Sequence, residues 1–297
     1  VITSMTLILP NTSSVVVSGL RQLLGEGKVR NDVPTLTAYA VDASIYRMQP
    51  QAVVLAEHEG DIDTVVRFAV ERGIPLTPRA AGTNLTGSAI GSGIILDISR
   101  MNRILEVNEE ERWARVQPGI VLAELNKQLG RRNLLFGPDP SSGDMCKLGG
   151  MLANNSAGPH TLIYGAVKDN VQAMRVCLPS GSWLSASSMN LNDPGLDRTL
   201  AAHPSLKPIL DLVQRQRGLI DSKKPTVSKN SCGYNLFGLA DGLSRGCFDL
   251  PKLFVGSEGT LGVVSEATLR LVPKPQGTLT ALIHFRRLEE VGEAVPH

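Results

Sequence analysis

The stretch Pro78-Arg79-Ala80-Ala81-Gly82-Thr83-Asn84-Leu85-Thr86-Gly87 decides how this chain is read. It leaves a short apolar strand, Ile74 to Pro78, and turns sharply. Backbone N–H groups converge on a diphosphate only where side chains do not block the approach, and Gly82 gives that access. Thr83 and Asn84 add short side-chain donors, and Arg79 is placed to balance phosphate charge. A hydrogen bond to a charged group contributes roughly 1.5–3 kcal/mol, so a few of them anchor a dinucleotide. A plain turn has the same composition, so the weight of the stretch comes from what surrounds it.

Outward from it lies a small α/β lobe, expected over 47–107. Ala52-Val53-Val54-Leu55-Ala56 is a compact apolar strand. Asp61 is expected to cap a helix with the apolar stripe Ile62, Val65, Val66 and Ala69, and Gly73 stops it. Ile94–Asp97 and Ile104–Val107 are strand-like. Ahead of this lobe, within 1–46, Val15–Leu24 reads as a lead-in helix closed by Gly25 and Gly27. A second lobe is expected over 108–275. Its strands are Trp113–Gln117, Val171–Leu178, Trp183-Leu184, Leu253–Val255 and Val263–Val272, with a helix over Val121–Leu129 and polar helices and loops from Asn190 to Lys224. Thr278–Phe285 reads as a new strand and Arg287–Val295 as a helix start. Such a pair has nowhere to bury its apolar face alone, so 276–297 is expected to open a further domain.

Two more segments share the Gly, Asn and Ser richness of the first. Pro138-Asp139-Pro140-Ser141-Ser142 fixes a turn. It leads through Cys146 and Lys147 to Gly149-Gly150-Met151-Leu152-Ala153-Asn154-Asn155-Ser156-Ala157-Gly158. The double glycine lets backbone press against a flat ring, and Asn154 and Ser156 are placed to bond its polar edge. Read as one long surface loop, the segment is unusual inside a compact lobe unless it is functional. The third is Val255-Gly256-Ser257-Glu258-Gly259-Thr260-Leu261-Gly262-Val263-Val264, where Glu258 can accept from a ribose hydroxyl.

Composition removes other classes. The 297 residues carry a net charge of +2, too balanced for nucleic acid or an acidic membrane to be the main partner. The four cysteines, Cys146, Cys177, Cys232 and Cys247, form no CxxC pair, so free thiols are expected and no metal site. No apolar run reaches a membrane span, and Val1–Leu9 lacks the pattern of a signal peptide, so a cytoplasmic protein is expected. The Asn-x-Ser/Thr triplets at Asn11, Asn84 and Asn155 are read as chance. There is no GxGxxG, Walker A loop or GxSxG elbow. His58, His160, His203 and His284 show no metal-ligand spacing and are read as structural or exposed.

Four ordered segments carry a resemblance: Pro-Arg-x-x-Gly-Thr-Asn (78–84), Pro-Asp-Pro-Ser-Ser (138–142), Gly-Gly-x-x-Ala-Asn-Asn-Ser-Ala-Gly (149–158) and Gly-Ser-Glu-Gly-Thr-Leu-Gly (256–262). The chain resembles the FAD-linked oxidase superfamily, with the vanillyl-alcohol oxidase or p-cresol methylhydroxylase type of flavin domain. Within it, the D-lactate, glycolate and D-2-hydroxyglutarate dehydrogenase branch is the nearer likeness. The Lys229–Leu236 segment and Asp249–Leu253 resemble members that continue into an iron–sulfur domain. The resemblance implies an α+β, two-lobed FAD domain that ends at the start of a cap domain. It implies Pro78, Arg79, Ala80, Ala81, Gly82, Thr83 and Asn84 as the diphosphate loop, with Leu85 also at the cofactor. The stretches Pro140–Cys146, with Pro140, Ser141, Ser142 and Cys146, and Ala153–Ser156, with Ala153, Asn154 and Ser156, would line the ribityl chain and flavin, and Pro138, Asp139, Gly149, Gly150, Ala157 and Gly158 would belong to the same cofactor site. Glu258, Gly259, Gly262, Val263 and Val264 would face the adenosine and the flavin edge. Some relatives tether FAD through a histidine at the place held here by Thr83, which excludes a covalent link at that position. Ala80-Ala81 replaces the commoner Gly-Gly and narrows the loop's freedom while leaving its amides available.

The implied reaction is oxidation of a D-2-hydroxy acid by hydride transfer to flavin N5. The base and the carboxylate-binding cation come largely from the cap in such enzymes, so no catalytic residue is assigned. Lys229, Asn230 and Tyr234 are minor candidates for groups near the flavin. The rival readings are a flavin-binding subunit of a redox complex and an alkyl-transferring flavoenzyme. Any iron–sulfur cluster would be expected only in a C-terminal part beyond His297, and electron acceptor, homodimer or redox complex are left open. Without a cap, weak retention of FAD is expected.

Overall fold

The computed structural model describes residues 12–227 and 229–295. The Val1–Leu9 stretch and the Asn11 triplet lie outside them. The lead-in helix, α1, runs over Thr12–Leu24 and buries Val16, Val17 and Leu20. Gly25, at φ 86°, ends it with its N–H on the Arg21 carbonyl. Then come β1 (Val29–Arg30), α2 (Val33–Tyr39), β2 (Ala52–Leu55), α3 (Glu59–Arg72), β3 (Leu76–Arg79) and β4 (Ile94–Asp97). The strands form a sheet in the order β1-β2-β4-β3, with β4 parallel to both β2 and β3. Ile94, Ile95 and Leu96 are fully buried, as a strand covered on both faces requires.

The N-cap of α3 is His58, three residues before the expected Asp61. The His58 ring accepts the Asp61 N–H, and the buried Asp61 carboxylate accepts the N–H groups of Glu57 and His58 and the Lys28 ammonium at 2.8 Å. A capping box explains the shift: the residue that looks like the cap serves from inside the first turn. Gly73, left-handed at φ 61°, stops the helix as expected.

The second sheet begins with β5 (Ile104–Asn108) and β6 (Trp113–Val116), followed by α4 (Leu122–Gly130), β7 (Leu134–Leu135), α5 (Leu148–Asn154) and α6 (Thr161–Tyr164). Next are β8 (Val171–Cys177) and β9 (Trp183–Asn190), then the polar stretch, which folds as α7 (Pro194–Ala202), α8 (Leu206–Arg215) and α9 (Arg217–Ser222). After them lie α10 (Leu236–Ser244), β10 (Cys247–Asp249), α11 (Pro251–Phe254), β11 (Val263–Arg270), β12 (Val272–Pro273) and α12 (Leu288–Ala294). Six strands pair antiparallel in the order β10-β9-β8-β11-β6-β5.

Four expectations change here. Ile104–Asn108 pairs with β6 in the second sheet rather than closing the first. The segment around Gly149-Gly150, read as a loop, contains α5. Leu253-Phe254, read as strand, lies in α11, which Pro251 starts at its first turn. Thr278–Phe285 joins no ladder, and Leu279, Leu282 and Ile283 are exposed. An extended apolar run becomes a strand only where an edge is there to pair with it.

The lobes share a seam. Cys177 and Val263 of the second sheet sit in the hydrophobic cluster of the first lobe. The Glu59 carboxylate on α3 accepts Arg175 Nε at 2.6 Å and Ser265 Oγ at 2.7 Å, and Arg67 donates to the Gly181 carbonyl at 2.9 Å. Among the described residues, no helix is long and apolar enough to cross a membrane.

Candidate functional site

The turn after β3 is held open from beneath. Arg79 Nη1 donates to the carbonyls of Tyr39, Val41 and Ala89 at 2.9–3.3 Å, and the guanidinium stacks on the Tyr39 ring at 5.0 Å. Its Nη2 lies 2.6 Å from where a Cβ on Gly82 would be, and Gly82 has φ 69°. The guanidinium is therefore packed against the underside of the turn. Burial lowers its pKa, against the opposing pull of Tyr39, Asp42 and Asp97. Tyr39 donates in turn to Asp97, and its own pKa is raised by burial and by that carboxylate.

Asn84 is likewise committed to shape. Its Nδ2 donates to Asp42 at 3.0 Å, and its Oδ1 accepts the N–H groups of Thr86 and Ser88 at 3.1 and 3.0 Å. Burial raises the Asp42 carboxyl, but hydrogen bonds from Ser44, Asn84 and Ala89 outweigh this and hold it below the usual aspartate value. The backbone donors of the turn are left over. Among the described residues, no N–H from Ala80 to Leu85 has a protein acceptor.

Opposite this turn stands the start of α5. Gly149 is pinned: its N–H donates to the Pro118 carbonyl at 2.7 Å, and a Cβ there would meet Ile98 Cδ1 at 2.9 Å. Gly150 has room for more: a Cβ there would rest in ordinary contact with its nearest atom, Ala80 Cβ, at 4.0 Å. Its N–H also has no protein acceptor among the described residues. The third turn hangs from the other end of α5, with Gly256 N–H on the Leu152 carbonyl at 2.9 Å and Glu258 N–H on the Ala153 carbonyl at 3.0 Å. Glu258 adopts a left-handed φ of 52°, and its exposed carboxylate has no partner among the described residues.

The three segments line one cleft. Pro78, Arg79, Ala80, Ala81, Gly82, Thr83, Asn84, Gly149, Gly150, Ala153, Asn154, Glu258, Gly259, Gly262, Val263 and Val264 line it. Through Thr83, Asn84, Gly150, Asn154 and Glu258 it continues into a second, more open space, reached by Leu85, Ser142, Cys146 and Ser156. Burial raises the Cys146 thiol, which is therefore neutral near pH 7. Pro138, Asp139, Pro140, Ser141, Ala157 and Gly158 line neither space. Their turns close on one another: the Gly158 Cβ position falls 1.9 Å from the Asp139 carbonyl oxygen, and the His160 ring bonds the Asp139 carboxylate.

Sequence reading left out Ser88, Ala89, Ile98, Lys147, Leu152, Phe254 and Ser257, which also line the cleft. Lys147, Leu152 and Ser257 lay inside the segments already singled out; Ile98 and Phe254 carry no signal beyond ordinary apolar pattern. Lys229, Asn230 and Tyr234 do not reach it. The Asn230 carbonyl accepts from Asn155 and Lys168, and Tyr234 bonds Thr260 Oγ1 at 2.8 Å. Their neighbour Ser231 lines the second cavity. The Asn84 and Asn155 amides of the two other triplets are engaged in hydrogen bonds, and Asn155 is buried.

Residues 50–187 match the family described as the FAD binding domain. Over 270 residues the chain is 34% identical to a D-2-hydroxyglutarate dehydrogenase of Pseudomonas putida, covering 87% of this chain and 26% of that protein. It is 30% identical to the glycolate oxidase subunit GlcD of Bacillus subtilis, covering 86% of this chain and 44% of that protein. The chain thus spans less than half the length of these curated relatives. Among solved structures, an alkyldihydroxyacetonephosphate synthase superposes with a TM-score of 0.63 at 22% identity, over 89% of this chain and 41% of that one, a likeness of fold. The matching domain and these relatives agree with the expected resemblance to the FAD-linked oxidase superfamily: residues 50–187 carry an FAD binding domain, and the chain shares its fold with the synthase.

Proposed function

We propose that the cleft between the 78–85 turn, α5 and the 255–264 turn holds FAD non-covalently, and that the full-length protein oxidises a D-2-hydroxy acid. The carrying observation is the row of half-buried backbone N–H groups from Ala80 to Asn84 left without protein acceptors, on a turn that lines the same cleft as Gly150. Buried or half-buried amides without partners cost free energy, and a diphosphate supplies the missing acceptors. On this reading Gly149 fixes where α5 begins, while Gly150 keeps its wall flat for the ligand. Ser142, Cys146, Asn154 and Ser156 border the ring-bearing end, and Ser257 to Val264 border the adenosine end. When bound, FAD supplies the hydride-accepting chemistry. The likeness to proteins named D-2-hydroxyglutarate dehydrogenase and glycolate oxidase subunit supports a 2-hydroxy acid as substrate.

Titration of the purified full-length protein with FAD, followed by flavin fluorescence, tests the site. Saturable binding is expected, weakened at least tenfold by Gly82→Val, because a β-branched residue at positive φ both strains the turn and displaces Arg79. No binding by the folded wild-type protein overturns the reading. Reduction of an artificial acceptor by D-2-hydroxyglutarate, D-lactate or glycolate tests the reaction. The second reading, a subunit acting only within a redox complex, draws on the likeness to a protein named as a subunit. It predicts FAD binding without turnover by the isolated protein.

A further inference from the structure

An anionic diphosphate buried in a cleft needs a cation as well as amides. Arg79 is the residue whose sequence position suggests that role, yet its guanidinium is packed beneath the turn and its Nη1 is given over to three main-chain carbonyls. The other cationic side chain lining the cleft is Lys147, the residue that caps α5. Among the described residues, Lys147 has no carboxylate partner and no side-chain hydrogen bond, unlike Lys28, Lys168 and Lys252. Its backbone is fixed by a bridge to Val121 and by the hydrogen bond that its carbonyl receives from Met151 at 3.2 Å. A half-buried lysine with its backbone held and no counter-charge is a binding group in waiting.

Its place within the cleft selects the ligand group. Lys147 lines the space walled by the 78–84 turn and not the second cavity, where Ser142, Cys146, Ser156 and Ser231 lie. We infer that Lys147 is the cation that neutralises the diphosphate of the bound dinucleotide, acting across the cleft from the amides of Ala80 to Thr83, while Arg79 shapes the turn from behind. This rests on the FAD reading above and assigns to one residue a task the turn alone does not complete. The contact is a point charge on a flexible stem, so it adapts to either phosphate without fixing its geometry.

The test compares FAD with riboflavin, which lacks the diphosphate, on full-length wild-type protein, Lys147→Gln and Lys147→Arg. Lys147→Gln is expected to weaken FAD roughly 10- to 100-fold at low salt, the size of one charged hydrogen bond, and to leave riboflavin affinity unchanged. The wild-type affinity for FAD should fall as salt rises, the Gln variant should lose most of that dependence, and Lys147→Arg should keep it. Unchanged thermal unfolding of the ligand-free Gln variant separates this from a folding defect. Equal FAD affinity and equal salt dependence in wild type and Lys147→Gln overturn the inference alone. Failure of folded wild-type protein to bind FAD overturns the underlying reading and the inference with it.

Discussion

At the scale of single residues, the adjacent glycines of α5 have opposite duties. A methyl at Gly149 runs into Ile98 and Pro118, whereas one at Gly150 would fit, in ordinary contact with Ala80 Cβ, on the wall of the cleft. Gly149→Ala should therefore cost about 1–3 kcal/mol in urea unfolding. Gly150→Ala should be neutral or stabilising by up to about 1 kcal/mol, through the helix preference of alanine, while weakening FAD. Titrating side chains mark the same contrast between scaffold and site. Burial pushes the Cys177 thiol from 9.0 up to about 11. Its folded value lies above its unfolded one, so its contribution to stability is complete below pH 9.0 and drains away as pH rises towards 11. Cys177→Ala should flatten the alkaline limb of a stability profile. Asp42 has the reverse sign: its folded value is depressed, so its contribution holds at neutral pH and is lost as pH falls below the ordinary aspartate value of 3.8. Asp42→Asn should blunt that acid loss, as followed by circular dichroism.

At the scale of elements, the Asp61 box makes a sharp forecast. Asp61→Ala removes the acceptor for two N–H groups and for Lys28, so a loss of about 2 kcal/mol is expected in chemical denaturation. The same element shows what the sequence made legible. The stripe Ile62, Val65, Val66 and Ala69, and the stop at Gly73, are local signals, and the structure keeps them. Which acidic or polar residue caps the helix depended on Lys28 approaching from the turn before β1, thirty-three positions away, which no local pattern carries. The three Gly-rich turns were likewise visible in sequence, since their glycines meet local needs for positive φ or close approach. That Arg79 and Asn84 serve the turn rather than project from it depended on Tyr39, Val41 and Asp42, which precede them by some forty residues. The strand reading of Leu253-Phe254 failed because a three-residue apolar run has no period of its own, and Pro251 favoured a helical turn.

At the scale of the whole molecule, the cleft draws one wall from the first lobe and two from the second, so its width depends on the seam. Glu59 anchors that seam through Arg175 and the fully buried Ser265. Glu59→Ala should lower stability by about 1 kcal/mol and loosen FAD binding, visible as faster amide hydrogen exchange along α3 and β8. The order of the second sheet has a further consequence. Its last long strand, β11, lies between β8 and β6, which precede it by some ninety and one hundred and fifty residues. During synthesis those two strands therefore wait with facing edges unpaired until residue 270 has left the ribosome. The late turn at Gly256 and Glu258 completes the wall of α5 at the same moment. Cofactor loading is thus tied to the end of this domain's translation, and a nascent chain halted earlier exposes sticky edges to chaperones and to its neighbours on the polysome.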